Sequence, residues 1–522
     1  MFTALLDQLG EWNPQLFREL KGRVNERSIG IALCWSALIQ CILVGVSSVE
    51  KCALMVDGYC QEYHRVIQWQ FLFMTLSFML PLLLFAGGVY LLIRDLMKER
   101  RRGTLNFIRL SPRSSQNILL GKLLGVPVLL YGGVGLAIPL HWVCAIATGV
   151  PLGWVFGFYA LIAAVTAGFY TISLLNALQE QISGPYPAMI GSGLAAWFGV
   201  RFVWFILFDF PWEQSPGYRN RLNWFFWRDL NLHYPLGFTL VFLAVMVANY
   251  WIWQALNRRF TLPNGPVLPK GKSYGLVASF HLWMLGFCYP FGDEIAQTET
   301  LMPMMFGISL LTGMMFLVMI PAISPQRQTL WDWARYAHEQ RRPGLNRPYS
   351  RWQDWIWGEN SPTGVAIAIN LGIVAAIWIP WIFLSQGSFD AGLQAGLALL
   401  MTLNLIWIYS AIAQCFSWIQ FPKPRLVLLA MLLVTLALPP LLFSLVFETV
   451  SVNTTLWMLF VFGSPWFALP EASIMATVLS FLGQVAAIAT LTRTLNHQIH
   501  QAGASDSQLL FADHSPQIPP QL

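Results

Sequence analysis

The run nearest to a nucleotide site is PNGPVLPKGKSYG, residues 263–275. A phosphate loop needs G-x-x-x-x-G-K-[ST], so that backbone amides cradle the phosphates and the lysine reaches them. Counting back from Gly271-Lys272-Ser273 places Pro266 where the first glycine belongs, and no strand pattern precedes it. The run reads as a loop beside the membrane. Paired acids can do acid–base or metal work, and the chain offers Asp57 with Glu62 and Asp293 with Glu294. All four lie between apolar runs, where solvated acids are ordinary. His497 and His500 share one helical face in a polar tail. The seven cysteines show no C-x-x-C pair and no zinc spacing. No metal site, bound cofactor or catalytic set is expected. Arg201 sits inside an apolar run (AAWFGVRFVWFILFDF). An intramembrane arginine is costly and functional by default, so it is a candidate for the translocation path. It also lies near the end of its run, where a long side chain can snorkel.

The elements that would position these residues are membrane spans. The chain has 522 residues, of which 56% are hydrophobic and only 11% charged. Ordinary globular domains carry roughly 25% charged residues. The expected fold is an all-α polytopic membrane protein. A span needs about 20 apolar residues, and about twelve fit: 29–48, 69–93, 123–148, 152–177, 186–209, 236–256, 275–291, 301–323, 363–385, 391–416, 426–447 and 472–491. The third and fourth are the clearest pair, because the 57 residues between Lys122 and Glu180 hold no Asp, Glu, Lys or Arg. The first span follows a charged leader and lacks a small-residue cleavage site, so it is expected to stay as an anchor.

The net charge of +6 does not point to nucleic acid, because the basic residues lie in loops between spans. With the N-terminus inside, the inner segments hold 25 of the 31 Lys and Arg. The outer loops hold Lys51, Arg65, Arg219, Arg221 and Arg228. That asymmetry places both termini on the cytoplasmic side. Cys52 and Cys60 share one outer loop and are candidates for a disulfide in an oxidising compartment.

The layout also echoes itself. Six spans in 29–256 and six in 257–491 each carry a long inner loop after their second span, at 94–122 and 324–362. Between the fifth and sixth spans of each set lies an aromatic, proline-containing outer segment. Transporters are often built from such repeats. Residues 1–28 precede the first set, and the polar tail 492–522 reads as disordered.

The first inner loop is the most distinctive stretch: KERRRGTLNFIRLSPRSSQNILLGK, residues 98–122. Glu99 to Leu110 can form an amphipathic helix with Leu105, Ile108 and Phe107 as its apolar stripe. Ser111-Pro112 would break it and cap a second helix running into the third span. On physical grounds alone the loop suits a basic anchor on anionic lipid. The pattern Glu99, Arg102, Gly103-Thr104-Leu105, Leu110-Ser111-Pro112 and Gly121-Lys122 resembles the first inner loop of ATP-binding-cassette permeases of the second exporter class. Asn13-Pro14-Gln15-Leu16-Phe17-Arg18-Glu19-Leu20 resembles that family's amphipathic elbow. The resemblance implies that the loop carries a coupling helix that docks on a separate ATPase, and that ATP acts only through that partner. The motifs cover about the first 125 residues, and the six-span layout extends the match to about 256. The loop at 324–362 lacks the Gly-Thr-Leu run.

The expected function is thus the permease subunit of an ATP-driven exporter in a bacterial inner membrane, without enzyme activity of its own. Its partners would be the ATPase, membrane lipid and a second copy of the chain. Two alternatives come from other classes. A twelve-span secondary transporter would need a buried carboxylate for proton coupling, and apart from Asp209 at a boundary no expected span holds one. A lipid-linked glycosyl transferase would rest on the outer-loop acids.

Overall fold

The chain is a polytopic helical membrane protein. The computed structural model describes residues 10–56, 59–179, 186–210, 223–225, 227, 230, 233–288, 298–339, 351–385, 388–419, 424–446 and 454–503. The Asp293-Glu294 pair and most of the outer segment 210–234 lie outside them.

Asn13 caps the elbow helix α1 (Pro14–Arg23), with proline at its first position. α2 spans Glu26–Val46. A hairpin follows, β1 (Ser48–Val56) and β2 (Tyr59–Ile67). It occupies the loop expected between the first two spans. Its register pairs Glu50 with Arg65, Cys52 with Tyr63 and Met55 with Cys60, so the two cysteines are not cross-strand neighbours. The side chains of Cys52 and Cys60 lie outside the described set.

The second span is a continuous helix, α3 (Trp69–Arg101). Pro81 sits inside it and cannot donate to the ladder. The backbone then widens into a π-helical stretch at Leu83–Gly87. Side chains from other spans take carbonyls of that stretch. Tyr170 Oη donates to Leu84 O at 2.9 Å and Ser192 Oγ to Ala86 O at 2.9 Å. Lipid offers no water for such groups, so side-chain donors must satisfy them. Gly88 admits the tyrosine: a Cβ there would lie 1.8 Å from its hydroxyl.

The first set continues with α4 (Thr104–Arg109), α5 (Ser115–Gly125), α6 (Val128–Ala147), α7 (Leu152–Gln179), α8 (Tyr186–Asp209) and α9 (Tyr234–Thr261). The second comprises α10 (Lys270–Cys288), α11 (Thr298–Ile323), α12 (Arg327–Glu339), α13 (Arg351–Trp357), α14 (Gly364–Ser385), α15 (Phe389–Ser417), α16 (Pro424–Val446), α17 (Thr454–Phe460), α18 (Pro465–Ala468) and α19 (Ile474–Gly503). Among the described residues ten helices are long and apolar enough to cross a membrane. The two further expected spans fall on α10 and α16.

The chain divides into two compact units near residue 263, with Trp224 and Phe225 grouped with the second. Each has its own apolar core. Four helix pairings recur in both units. First packs on third (α2 with α6, α10 with α14), and second on fourth (α3 with α7, α11 with α15). Second also packs on fifth (α3 with α8, α11 with α16), and fourth on sixth (α7 with α9, α15 with α19). The fourth helix is the most buried span of its unit, at 61% of its apolar window in α7 and 67% in α15. The units differ in other pairings: the second helix packs on the third in the first unit (α3 with α6), whereas extensive third-on-fourth packing marks the second (α14 with α15).

Candidate functional site

The first unit gathers most of its charged chemistry where α1, the end of α3 and the start of α5 meet. Asn13 anchors this junction twice. Its Oδ1 accepts from Leu16 N at 3.0 Å, and its Nδ2 donates to Asn117 O at 2.7 Å. The elbow therefore lies against α5, and two glycines make room for it. A Cβ on Gly121 would stand 2.7 Å from Leu16 N, and one on Gly125 would stand 2.5 Å from the Glu19 Cβ. Leu16 is buried in the contact and Leu20 is half-buried.

Lys122 follows Gly121 and points the other way along α5, into a nest of acids. It is 1% exposed. Its Nζ lies 2.7 Å from Glu99 Oε2, 3.0 Å from Asp95 Oδ2 and 3.6 Å from Glu19 Oε1. Arg18 pairs with Glu99 at 2.8 Å and Glu19 at 3.2 Å. Arg23 pairs with Glu19 at 3.0 Å and also with Asp95. Three carboxylates thus meet three cations. Oxygens of Glu19, Asp95 and Glu99 lie within 4.8 Å of one another, close enough to hold a metal ion. The Lys122 ammonium already supplies the cation among them.

The cluster joins Glu19, Arg18, Glu99 and Lys122, which the sequence had singled out. It adds Asp95 and Arg23, which the sequence had not. Asp95 precedes Glu99 by four residues on one helix, so both reach the same neighbour. That spacing was the available signal.

Beyond the cluster the expected helix from Glu99 to Leu110 is broken. α3 stops at Arg101, and Gly103 turns the chain with φ +71°. Glycine takes that left-handed conformation at no steric cost. Thr104 Oγ1 donates back to Glu99 O at 3.1 Å, and α4 begins. The expected apolar stripe also divides. Leu105 and Ile108 turn inward at 5% and 6% exposure, while Phe107 and Leu110 stand out at 80% and 85%. Leu105 is thus a packing residue, and the apolar tip belongs to Phe107 and Leu110. The Ser111-Pro112 corner is corrected as well. The next helix starts at Ser115, capped by Ser114, whose Oγ accepts from Asn117 N. Pro112 lies exposed in the connecting bend, and Ser111 is half-buried there. Arg102 and Thr104 are exposed. Arg109 lies 5.5 Å over the Phe260 ring and Ser115 Oγ bonds Asn257, so α9 braces the far side of this segment.

Arg201 is not part of this assembly. It is exposed on α8, with its guanidinium 5.1 Å over the Trp197 ring one turn away. That is the geometry of a snorkelling side chain stacked on its own helix.

The second unit holds a buried lysine of its own. Lys270, ahead of the expected span in α10, is also 1% exposed. It donates to Ser361 Oγ at 2.6 Å, Pro362 O at 3.0 Å and Trp355 O at 3.2 Å. Burial pushes its pKa down to about 7, with the charge of Asp354 opposing. The loop helix α12 packs on α19 through Leu330, Ala334, Trp418 and Leu495. The near-phosphate-loop residues Gly271 and Ser273 are absorbed here. A Cβ on Gly271 would stand 2.8 Å from the Trp357 ring, and Ser273 Oγ accepts from Asn370 Nδ2 at 2.9 Å.

No protein-family model, no curated protein and no solved structure matches this chain.

Proposed function

We propose that the chain is the membrane-spanning subunit of an ATP-driven transporter, and that its ATPase is a separate protein that docks on α4. One observation carries this reading: two large apolar side chains, Phe107 on α4 and Leu110 at its C-cap, stand exposed on a segment that is otherwise clamped. The clamp is the buried ion cluster on one side and the Arg109–Phe260 and Ser115–Asn257 contacts on the other. A lone exposed Leu needs no explanation. An aromatic and an aliphatic side chain held out on a braced segment fit a socket in a partner. Movement of that partner would reach the spans through α3 and α5, the two helices tied together by Lys122. The partner must bind α4 differently in its two states to bias them. The chain contributes no catalytic group to ATP hydrolysis in this scheme. Transport outward across a bacterial inner membrane is the direction the resemblance favours.

The test is co-purification from native membranes. Phe107→Asp with Leu110→Asp is expected to strip an ATP-binding-cassette ATPase from the tagged chain without altering its thermal unfolding in detergent. Trp352→Asp, which charges an exposed position of α13 in the second unit, leaves the association in place. Undiminished ATPase recovery with the double variant overturns the reading. Gly103→Pro and Leu105→Asp are unsuitable probes, since one position needs a positive φ and the other is core.

A further inference from the structure

The last turns of α3 have two charged faces. Asp95 and Glu99 turn towards Lys122, Arg18 and Arg23. Arg94, Lys98 and Arg101 recur at helical spacing on another face. With Arg102 they line an open cleft of about 460 Å³. Its apolar wall is built from Tyr90, Met97 and Ala188 of α8. The Arg94 guanidinium lies 5.9 Å over the Tyr90 ring. The volume is that of a small-molecule site, roughly 300–1,000 Å³. The carboxylates nearest in sequence are already committed on the other face. Beside the cleft, the first turn of α8 exposes Tyr186, Met189 and Ile190 at 68%, 60% and 63%. Cationic lining next to an exposed apolar turn suits an anion that carries a hydrocarbon tail.

We propose that this cleft binds the phosphate headgroup of an anionic membrane lipid. Guanidinium forks on Arg94 and Arg101 match phosphate oxygens in pairs, Lys98 adds a point charge, and the acyl chains run along the first turns of α8. This site is independent of the ATPase-docking reading, and its test does not involve the ATPase.

The experiment uses the full chain in detergent and titrates short-chain phosphatidic acid, short-chain phosphatidylcholine and inorganic phosphate, with native mass spectrometry as the readout. Each exposed charge contact is worth about two- to threefold in affinity. Wild type is therefore expected to prefer phosphatidic acid over phosphatidylcholine by about tenfold. The variant Arg94→Gln/Lys98→Gln/Arg101→Gln should lose that preference with unchanged thermal unfolding, since all three side chains are exposed. The charge-matched control Lys21→Gln/Arg27→Gln/Arg493→Gln should keep it. Equal loss in the control overturns the proposal, because bulk charge would then be the cause. Absence of a preference in wild type overturns it too. Competition by inorganic phosphate as strong as by the lipid overturns the assignment to a lipid.

Discussion

The two units share a scaffold and differ in what they build at one end. Both pair their first helix with the third, their second with the fourth and fifth, and their fourth with the sixth. Both also bury one lysine almost completely. In the first unit that lysine sits among three carboxylates that come from an elbow and the end of a span. In the second it is held by two backbone carbonyls and a serine hydroxyl. The difference follows from what each lysine must join. Lys122 ties three separate segments, and its charge pairs reach carboxylates on two of them, α1 and α3. Lys270 closes one connection, between the start of α10 and the 355–362 turn, and neutral oxygens suffice. Shared helix pairings therefore do not imply a shared site. The exposed apolar tip and the ion clamp occur together in the first unit.

The largest expected effect breaks that clamp. Removing one partner of a buried ion cluster leaves uncompensated charge and typically costs about 3–5 kcal/mol. Lys122→Met should therefore lower the thermal unfolding temperature of the first unit sharply, or abolish expression. Folding and stability close to wild type would mean the cluster is not the clamp described here. Next is Gly121→Leu. A Cβ there already meets Leu16 N and the Gln15 side chain, so overpacking should cost about 1–3 kcal/mol. It should also expose the elbow, read as faster proteolysis within residues 10–23. Unchanged proteolysis would show that α1 does not depend on close approach to α5.

Lys270→Met should do less. It strands neutral acceptors, at about 1–2 kcal/mol. Its pH behaviour sharpens the contrast. The folded-state pKa of about 7 lies below the ordinary value of 10.5, so folding favours the neutral amine. Stability of the second unit is thus lowest below about pH 7 and rises as pH climbs towards 10.5. Thermal unfolding at pH 7 and pH 9.5 should show this rise in wild type and lose it in Lys270→Met. An identical pH response in both would remove Lys270 as its source.

Much of the frame was legible in the sequence because bilayer spans announce themselves by length and hydropathy. The 57-residue uncharged stretch could hold little besides two spans and a turn. Asn13-Pro14 gave the start of the elbow, since capping is a local code. Gly121-Lys122 was legible as a pattern, but its physical reason appears only when α1 lies on α5. Asp95 and Arg23 were not singled out, because each looks like an ordinary flanking charge until folding chooses its partner. The Ser111-Pro112 signal misplaced the second helix. Gly103 ends α3 early, so the chain needs the residues through Ser114 to turn into α5. The β1–β2 hairpin escaped notice because short strands of mixed polarity between two spans look like loop. The burial of Leu105 against the exposure of Phe107 depends on which face of α4 meets the bundle, and periodicity alone leaves that open.

The smallest expected effect separates buried from exposed charge within the clamp itself. The Arg18 side chain is 51% exposed and pairs with Glu99 at 2.8 Å. Exposed ion pairs contribute about 0–1 kcal/mol, and salt at 1 M screens them over about 3 Å. Arg18→Gln should therefore shift unfolding slightly at low salt and not at all at 1 M. The Lys122→Met deficit should persist at both, because water and ions do not reach a side chain that is 1% exposed. Lys270→Met should likewise be largely indifferent to salt, since its hydrogen-bond partners are neutral oxygens and the ammonium is 1% exposed. A salt-independent Arg18→Gln deficit would place Arg18 among the buried charges of the clamp. A Lys122→Met deficit that vanished in salt would move Lys122 to the surface and erase the distinction between the two units' lysines.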